Sequence, residues 1–283
     1  MKKKTYALTV QSMKDYLTNL AEQERSAATL QKYAHDLNAL LEYLADKPLT
    51  KTALIGWKEQ LVEIYAPASV NSMLAAVNGF LNFMGWRELT VKSLKIQKAV
   101  FADEKQELSR AEYVRLVRTA EAEKNERLAL VIQTICATGI RVSELKFITA
   151  RAVQSGRAEV SNKGKRRIVF LPEKLCRALK KYLQKQKRTE GPVFVTKTGK
   201  PLNRSNIWRD MKALCSSAGV DSDKVFPHNL RHLFARTFYS AEKDLSRLAD
   251  ILGHSNVATT RIYTMESGCV HIKQLNRMGL VTT

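Results

Sequence analysis

No stretch of this 283-residue chain is apolar for long enough to cross a bilayer, which takes roughly 18 residues. The opening, MKKKTYALTVQSMKDYL, has lysines but lacks the sustained apolar core of a secretion leader. These two absences make a cytoplasmic protein without a membrane partner the expectation. Cysteine is scarce too. Cys136, Cys176, Cys215 and Cys269 stand far apart, with no C-x-x-C pair and no Cys/His spacing suited to zinc. A disulfide framework and a zinc module are therefore excluded, and four free thiols are expected. There is no internal repeat and no low-complexity tract, and a hydrophobic content of 45% is too high for a disordered chain.

Acidic residues are the other shortage. There are 27 Asp and Glu against 47 Lys and Arg, a net charge of +20. Residues 1–100 carry 13 basic and 9 acidic side chains, whereas residues 101–283 carry 34 and 18. Residues 141–215 alone hold 20 basic against 5 acidic. A field this positive concentrates polyanions and favours phosphate contacts. The basic residues fall in strand, turn and helix segments rather than in one tail, which points to a structured nucleic-acid face.

The length suffices for two domains with their own cores. Residues 1–95 read as four helices from the spacing of apolar positions. Val10, Met13, Leu17 and Leu20 share a face, and Leu30, Tyr33, Leu37, Leu40, Leu41 and Leu44 share the next. Thr50 can cap a third helix that stops before Pro67, and Val70 to Met84 form a fourth, ended near Gly85. Residues 96–107 lack this periodicity and read as a linker. The second domain, 108–283, opens on the capping box SRAE at 109–112 and is mainly helical. RAEVSNKGKRRIVFLP, 157–172, holds two β-prone runs around NKGK, a hairpin signal, and PVFV at 192–195 suggests a further edge strand. Ser205 is expected to cap the helix that ends at Gly219.

Five places in this second domain carry polar groups that a plain core would exclude. In ATGIRVSEL an apolar helix meets a Gly turn, and Arg141 follows it with its fork held between rigid elements, where it can grip a phosphate. Glu144, three residues on, shares its face and can hold it. Lys163 sits in the hairpin turn, with Lys165, Arg166 and Arg167 beside it as phosphate contacts. In PHNLRHLFARTF, His228 and Arg231 share one helical face, while His232 is expected to point elsewhere. His254 lies just past the C-cap glycine Gly253, and Tyr263 follows nine residues later. Taken singly, each has a plainer explanation: a surface ion pair, a solvated lysine, a packed tyrosine, or a helix-turn-helix over 248–264.

Taken in order, the set resembles the tyrosine recombinase (integrase) family. TGIRVSEL, a hairpin lysine directly before Gly164 as in the family pattern KGxKxR, HNLRH, LGH and TTRIY stand at the family's usual intervals, 23 residues from Arg231 to His254 and nine from His254 to Tyr263. SAATLQKYAHDLNALLEYL and PASVNSMLAAVNGFLNFMGW resemble its helical core-binding domain, so the likeness covers nearly the whole chain. It implies a mainly α fold: a SAM-like N-terminal domain that binds core DNA, and an α-rich catalytic domain with a small β-sheet. Residues 146–159 are short for the family's first strands, which predicts a reduced sheet.

The resemblance also implies a chemistry. Tyr263 would attack a DNA phosphate and leave a 3′-phosphotyrosyl bond and a free 5′-hydroxyl. Arg141 and Arg231 would meet the developing charge, His254 would donate a further hydrogen bond, and Lys163 would protonate the leaving oxygen. A phenol is protonated near neutral pH, so Tyr263 needs a proton acceptor; His228 is the candidate, with Glu144 orienting the network. No metal, no cofactor and no ATP are implied. The partners implied are double-stranded DNA and further copies of the chain, a homotetramer on two sites, with or without a second recombinase. The tail 265–283, with Val270, Ile272, Leu275, Met278 and Leu280, would dock on a neighbouring subunit. The length fits a simple Xer-like layout. Two other functions compete: a DNA-binding protein that keeps the fold without turnover, and a type IB topoisomerase.

Overall fold

The computed structural model describes residues 6–45, 47–96, 106–162, 165–254, 256–264 and 276–278. The chain divides into two compact units, Met1–Lys98 and Ala99–Thr283. Each has a core of its own.

The first unit is helical throughout its described residues: α1 (Val10–Glu22), α2 (Ala27–Leu44), α3 (Lys51–Ile64) and α4 (Pro67–Phe83). The starts follow capping chemistry. Thr9, Ser26 and Thr50 each accept a backbone N–H of the first turn of α1, α2 and α3, and Pro67 opens α4, where its missing N–H costs nothing. α2 packs on α1, α3 and α4, and Leu37, Leu40, Leu54, Val70, Phe80 and Leu81 are fully buried between them. Tyr16, Phe80 and Trp86 add edge-to-face ring contacts.

The chain is held just before the expected linker and again at its end. Leu89 and Val91 are buried in the first unit. Asn78 of α4 grips Val91 by two hydrogen bonds, Nδ2 to its carbonyl (2.8 Å) and its N–H to Oδ1 (2.9 Å). Asn71 grips Leu94 in the same way, at 2.9 and 2.7 Å. Seven residues along a helix and three along an extended segment both span about 10 Å, so the two side-chain amides match the segment they hold. On the other side, Gln106 and Leu108 give their carbonyls to Asn229 and Arg236, and Glu107 pairs with Arg236. Residues 97–105 lie outside the described residues.

The second unit is built around α6 (Glu126–Thr138), which packs on α5 (Arg110–Ala122), α8 (Glu173–Lys185), α9 (Arg204–Ala218) and α10 (Pro227–Glu242). α6 is apolar nearly all round, with Leu128, Ala129, Leu130, Val131, Ile132 and Ile135 buried, as a central helix should be. Ser109 and Glu112 form the expected capping box of α5. The helix of 204–218 is capped by Asn203, not by Ser205 as expected: the Asn203 Oδ1 reaches the Asn206 N–H at 2.8 Å.

The sheet is small. β1 (Arg157–Asn162) and β2 (Lys165–Phe170) pair antiparallel, Arg157 opposite Phe170 and Asn162 opposite Lys165. A short helix, α7 (Ala150–Ser155), takes up the residues before β1. PVFV does not form the suggested edge strand. It makes isolated bridges, Thr149 with Pro192 and Val195 with Pro201. Pro192 and Pro201 lack the N–H that a continued ladder needs.

After α10 come α11 (Leu245–Leu252), α12 (Val257–Thr260) and a 3₁₀ turn, Arg261–Thr264; of the tail 265–283 expected to dock on a neighbour, all but 276–278 lies outside the described residues. α12 has four residues, too short for the recognition helix of a helix-turn-helix. No helix among the described residues is long and apolar enough to cross a membrane. Cys136, Cys176 and Cys215 are free thiols, and Cys269 lies outside the described residues.

Candidate active site

Two glycines build the floor. Gly139 ends α6 and Gly253 ends α11, both in the left-handed conformation, with φ of 63° and 65°. Neither position has room for a side chain. A Cβ on Gly139 would stand 2.5 Å from Phe234, and one on Gly253 would stand 2.4 Å from Cδ of Arg167. Helix ends leave carbonyls without intrahelical partners and carry partial negative charge. Arginines take them here.

Arg231 of α10 is 2% exposed. Its Nη1 donates to the Gly139 carbonyl and its Nη2 to the Leu252 carbonyl at 2.8 Å. The same Nη2 meets His254 Nε2 at 3.1 Å. Burial, and then the nearby Arg141 charge, pull this guanidinium down to about 10, and the neighbouring Tyr263 oxygen opposes the shift. Arg141 stands at the start of the 3₁₀ segment Val142–Phe147 with its side chain one third exposed. Its Nη1 donates to Glu144 Oε1 at 3.1 Å, and Nη2 lies 3.5 Å from the Gly253 carbonyl.

Glu144 is buried and serves two arginines. Its Oε2 accepts the Arg141 backbone N–H at 3.0 Å and Arg167 Nη2 at 2.6 Å. Burial would raise its carboxyl, but Arg167 and then Arg141 outweigh it and hold the group below the ordinary carboxylate value. Arg167 therefore lies otherwise than as an outward phosphate contact. From β2 it turns inward, donating also to the Ile251 carbonyl at 2.7 Å. It ties the hairpin to the end of α11, and its stem fills the space that Gly253 leaves. Arg166, its neighbour, is exposed. Lys163 and the Lys165 side chain lie outside the described residues.

His254 and Tyr263 come together. Their rings stack at 5.9 Å, 16° from parallel. Tyr263 is 6% exposed and packs with Ala235, Leu248 and Leu252. His254 Nδ1 lies 2.9 Å from the hydroxyl of Thr260, which is fully buried. His254 is pulled down to about 4, by burial first and then by Arg231, Arg141 and Arg167. His228 is exposed, and desolvation, Arg231, Arg141 and Arg204 lower it as well.

His232 does not point elsewhere. Its ring meets His228 at 4.5 Å and Tyr263 at 4.6 Å, edge-on to both. The spacing from His228 is i to i+4, which on a helix means the same face, and that signal was in the sequence. Burial, His228 and Arg231 bring His232 down to about 4. All three histidines are thus biased to the neutral form, by burial first and by the neighbouring cations next. Among the described residues, no group of three His, Cys, Asp or Glu stands where it could hold a metal ion.

Comparison with known proteins decides the family. The phage integrase family matches residues 106–268, more than half of the chain, and its N-terminal SAM-like domain matches residues 13–88. This chain belongs to the phage integrase family. Tyrosine recombinase XerD of Lacticaseibacillus casei is 31% identical to this integrase over 271 residues, covering 88% of the chain and 92% of the relative. Tyrosine recombinase XerA of Pyrococcus furiosus is 26% identical over 283 residues, covering 97% and 95%. A solved lambda integrase dimer bound to a COC′ core site shares the fold, with a TM-score of 0.75 at 19% identity over 92% of this integrase and 97% of that chain. The Tn1549 transposon integrase in complex with transposon right end DNA gives 0.72 at 14% identity, covering 95% and 99%.

Sequence reasoning missed Thr260 as a partner of His254 and misread His232 and Arg167. For Thr260 there was no local signal, because the contact forms only when the α11–α12 turn closes.

Proposed function

We propose that this tyrosine site-specific recombinase cuts and rejoins double-stranded DNA through a 3′-phosphotyrosyl bond formed by Tyr263. One observation carries the reading: three arginines converge on two helix ends, Glu144 is the carboxylate that two of them, Arg141 and Arg167, meet among the described residues, and Tyr263 packs against the histidine bound to the third. With the histidines neutral, that cluster keeps an excess of positive charge, which an anion would complete.

The Tyr263 oxygen attacks phosphorus, and its proton passes to the histidine pair, His232 at the ring and His228 beyond it. Arg141 and Arg231 face the nonbridging oxygens, whose charge grows in the transition state, and His254 adds a hydrogen bond. The bond from phosphorus to the 5′-oxygen breaks, and Lys163 protonates that oxygen as it leaves. A 5′-hydroxyl of the partner strand reverses the step, so the bond energy is conserved without ATP. The arginines do the work a metal ion would otherwise do. Glu144 orients Arg141, and Arg166 contacts the backbone of the DNA. The assembly we infer is four protomers on two sites, with the tail 265–283 linking neighbours.

The test is a nicked suicide substrate analysed on a denaturing gel. The wild-type chain should give a covalent adduct, and Tyr263→Phe should bind DNA normally and give none. An adduct in the mutant removes Tyr263 from its role, and none in the wild type favours DNA binding without turnover. A 5′-bridging phosphorothioate, whose thiolate leaves unprotonated, should rescue Lys163→Ala but not Lys165→Ala.

A further inference from the structure

A buried hydroxyl stands behind His254 with no part in the reaction just described. Its chemistry fits a problem that the site has to solve. Guanidinium N–H groups only donate, so His254 Nε2, 3.1 Å from Arg231 Nη2, must be the acceptor of that hydrogen bond. A ring that accepts at Nε2 is neutral and carries its proton on Nδ1. The Nδ1–H then donates to Thr260 Oγ1, 2.9 Å away.

A bound phosphate reverses the demand. Its oxygens take the Arg231 N–H groups, and Nε2 must now donate. In the free site burial, and then Arg231 of α10, Arg141 ahead of the 3₁₀ segment, Arg167 of β2 and His228, disfavour the imidazolium, and a change of tautomer requires that the ring stay neutral once the phosphate is bound. One proton leaves Nδ1 for solvent and one enters at Nε2, so the charge is unchanged. Nδ1 is then a bare acceptor, in need of a donor. A hydroxyl can rotate to serve either arrangement; a carbonyl, carboxylate or ammonium serves one. Thr260 is fully buried on α12, which restricts water from taking its place.

We propose that Thr260 is a positioning residue that holds His254 in whichever tautomer the state of the site requires, accepting from Nδ1–H without DNA and donating to Nδ1 when Nε2–H faces a phosphate. The proposal rests on the reading that His254 contacts the attacked phosphate.

Three measurements test it. In the free protein, ¹⁵N NMR of the histidine rings should find His254 protonated at Nδ1, and in Tyr263→Phe bound to uncleaved DNA it should be protonated at Nε2. The same tautomer in both states overturns the proposal, whatever any variant does. Next, single-turnover cleavage should slow about tenfold in Thr260→Val, the loss of one buried hydrogen bond, with DNA affinity unchanged, and Thr260→Ser should recover most of the rate. Equal rates in wild type and Thr260→Val overturn it, as does a Thr260→Ser no better than Thr260→Val. Last, Thr260→Val should cost nothing further in a His254→Ala background, whereas an added loss there assigns Thr260 to packing and overturns the proposal. His254→Ala by itself keeps the two ideas apart. If it cleaves at the full rate, the phosphate-contact reading fails first and takes the proposal with it. If it is slow while Thr260→Val is normal, only the proposal fails.

Discussion

The two units of this integrase treat polar groups in opposite ways. Among the described residues, the first buries one charged side chain, Asp36, which Lys32 of the same helix meets. The second buries Thr134, Thr138, Glu144, Asn229, Arg231 and Thr260. Burying such groups costs stability unless each finds a partner, and even then an apolar core does as well. The first unit takes the cheaper solution. The second keeps the costly one only around Arg141, Arg231 and His254, apart from Asn229 at the 106–107 entry and the Thr134 and Thr138 hydroxyls, which return to their own helix. Polar burial thus marks the site, and its absence marks the scaffold.

The sharpest way to break that contrast is Arg231→Met, which keeps the bulk and removes the fork. Cleavage should fall on the order of 10²–10³-fold, as when a preorganised donor is lost. The unit should stay folded and melt lower by about 1–3 kcal/mol, because the Gly139 and Leu252 carbonyls lose their donor. Single-turnover kinetics and thermal melting read the two effects. A large loss of stability with cleavage intact would make Arg231 part of the scaffold.

The reverse experiment is Phe80→Ala in the first unit, where Phe80 is fully buried. It should cost about 3–5 kcal/mol in unfolding. At a temperature where the variant is folded and at saturating DNA, the covalent step should keep its rate.

A third comparison uses pH. His232 and His254 sit at about 4 when folded, against an ordinary 6.5, so between those values the unfolded chain binds more protons. Their contribution to stability is complete above 6.5 and is lost as pH falls toward 4. Melting of the second unit should drop across this window, and His254→Asn should flatten the slope. The histidine of the first unit, His35, is exposed. Equal pH slopes for the two units would defeat the comparison.

The smallest effect belongs to Arg166→Ala. This exposed side chain should contribute a few-fold to DNA affinity, and its loss should reduce the salt slope of binding by about 1. An unchanged salt slope would place it away from the backbone.

Much of this was legible beforehand. Two helix starts were, because Thr50 and Ser109 act within three residues of themselves, whereas the cap expected of Ser205 belongs to Asn203. So was the hairpin, because NKGK is a local turn signal. The order of the site residues was readable only through the family resemblance, since a lone arginine or tyrosine has a plainer explanation. The direction of Arg167 was not readable. Alternation should have set it, with Val169 and Leu171 buried on its side of the strand. Ile168 and Phe170 on the other side are also apolar, yet 47% and 70% exposed, so the sequence favours neither parity. The Asn71 and Asn78 contacts were hidden for a similar reason: a helical asparagine gives no sign of the extended segment it holds.

Those two asparagines have a mechanical consequence. A pull on the chain beyond Leu94 does not reach α4 directly. It meets the Asn71 clamp first and the Asn78 clamp next, two hydrogen bonds each. Between the clamps Lys58 Nζ donates to the Lys92 carbonyl at 2.9 Å, so the chain comes free back to Val91, about 10 Å of extended backbone, only when the first clamp and this bond have both opened. These contacts are made by side chains on the outside of the helices, so their loss removes no helix backbone hydrogen bond.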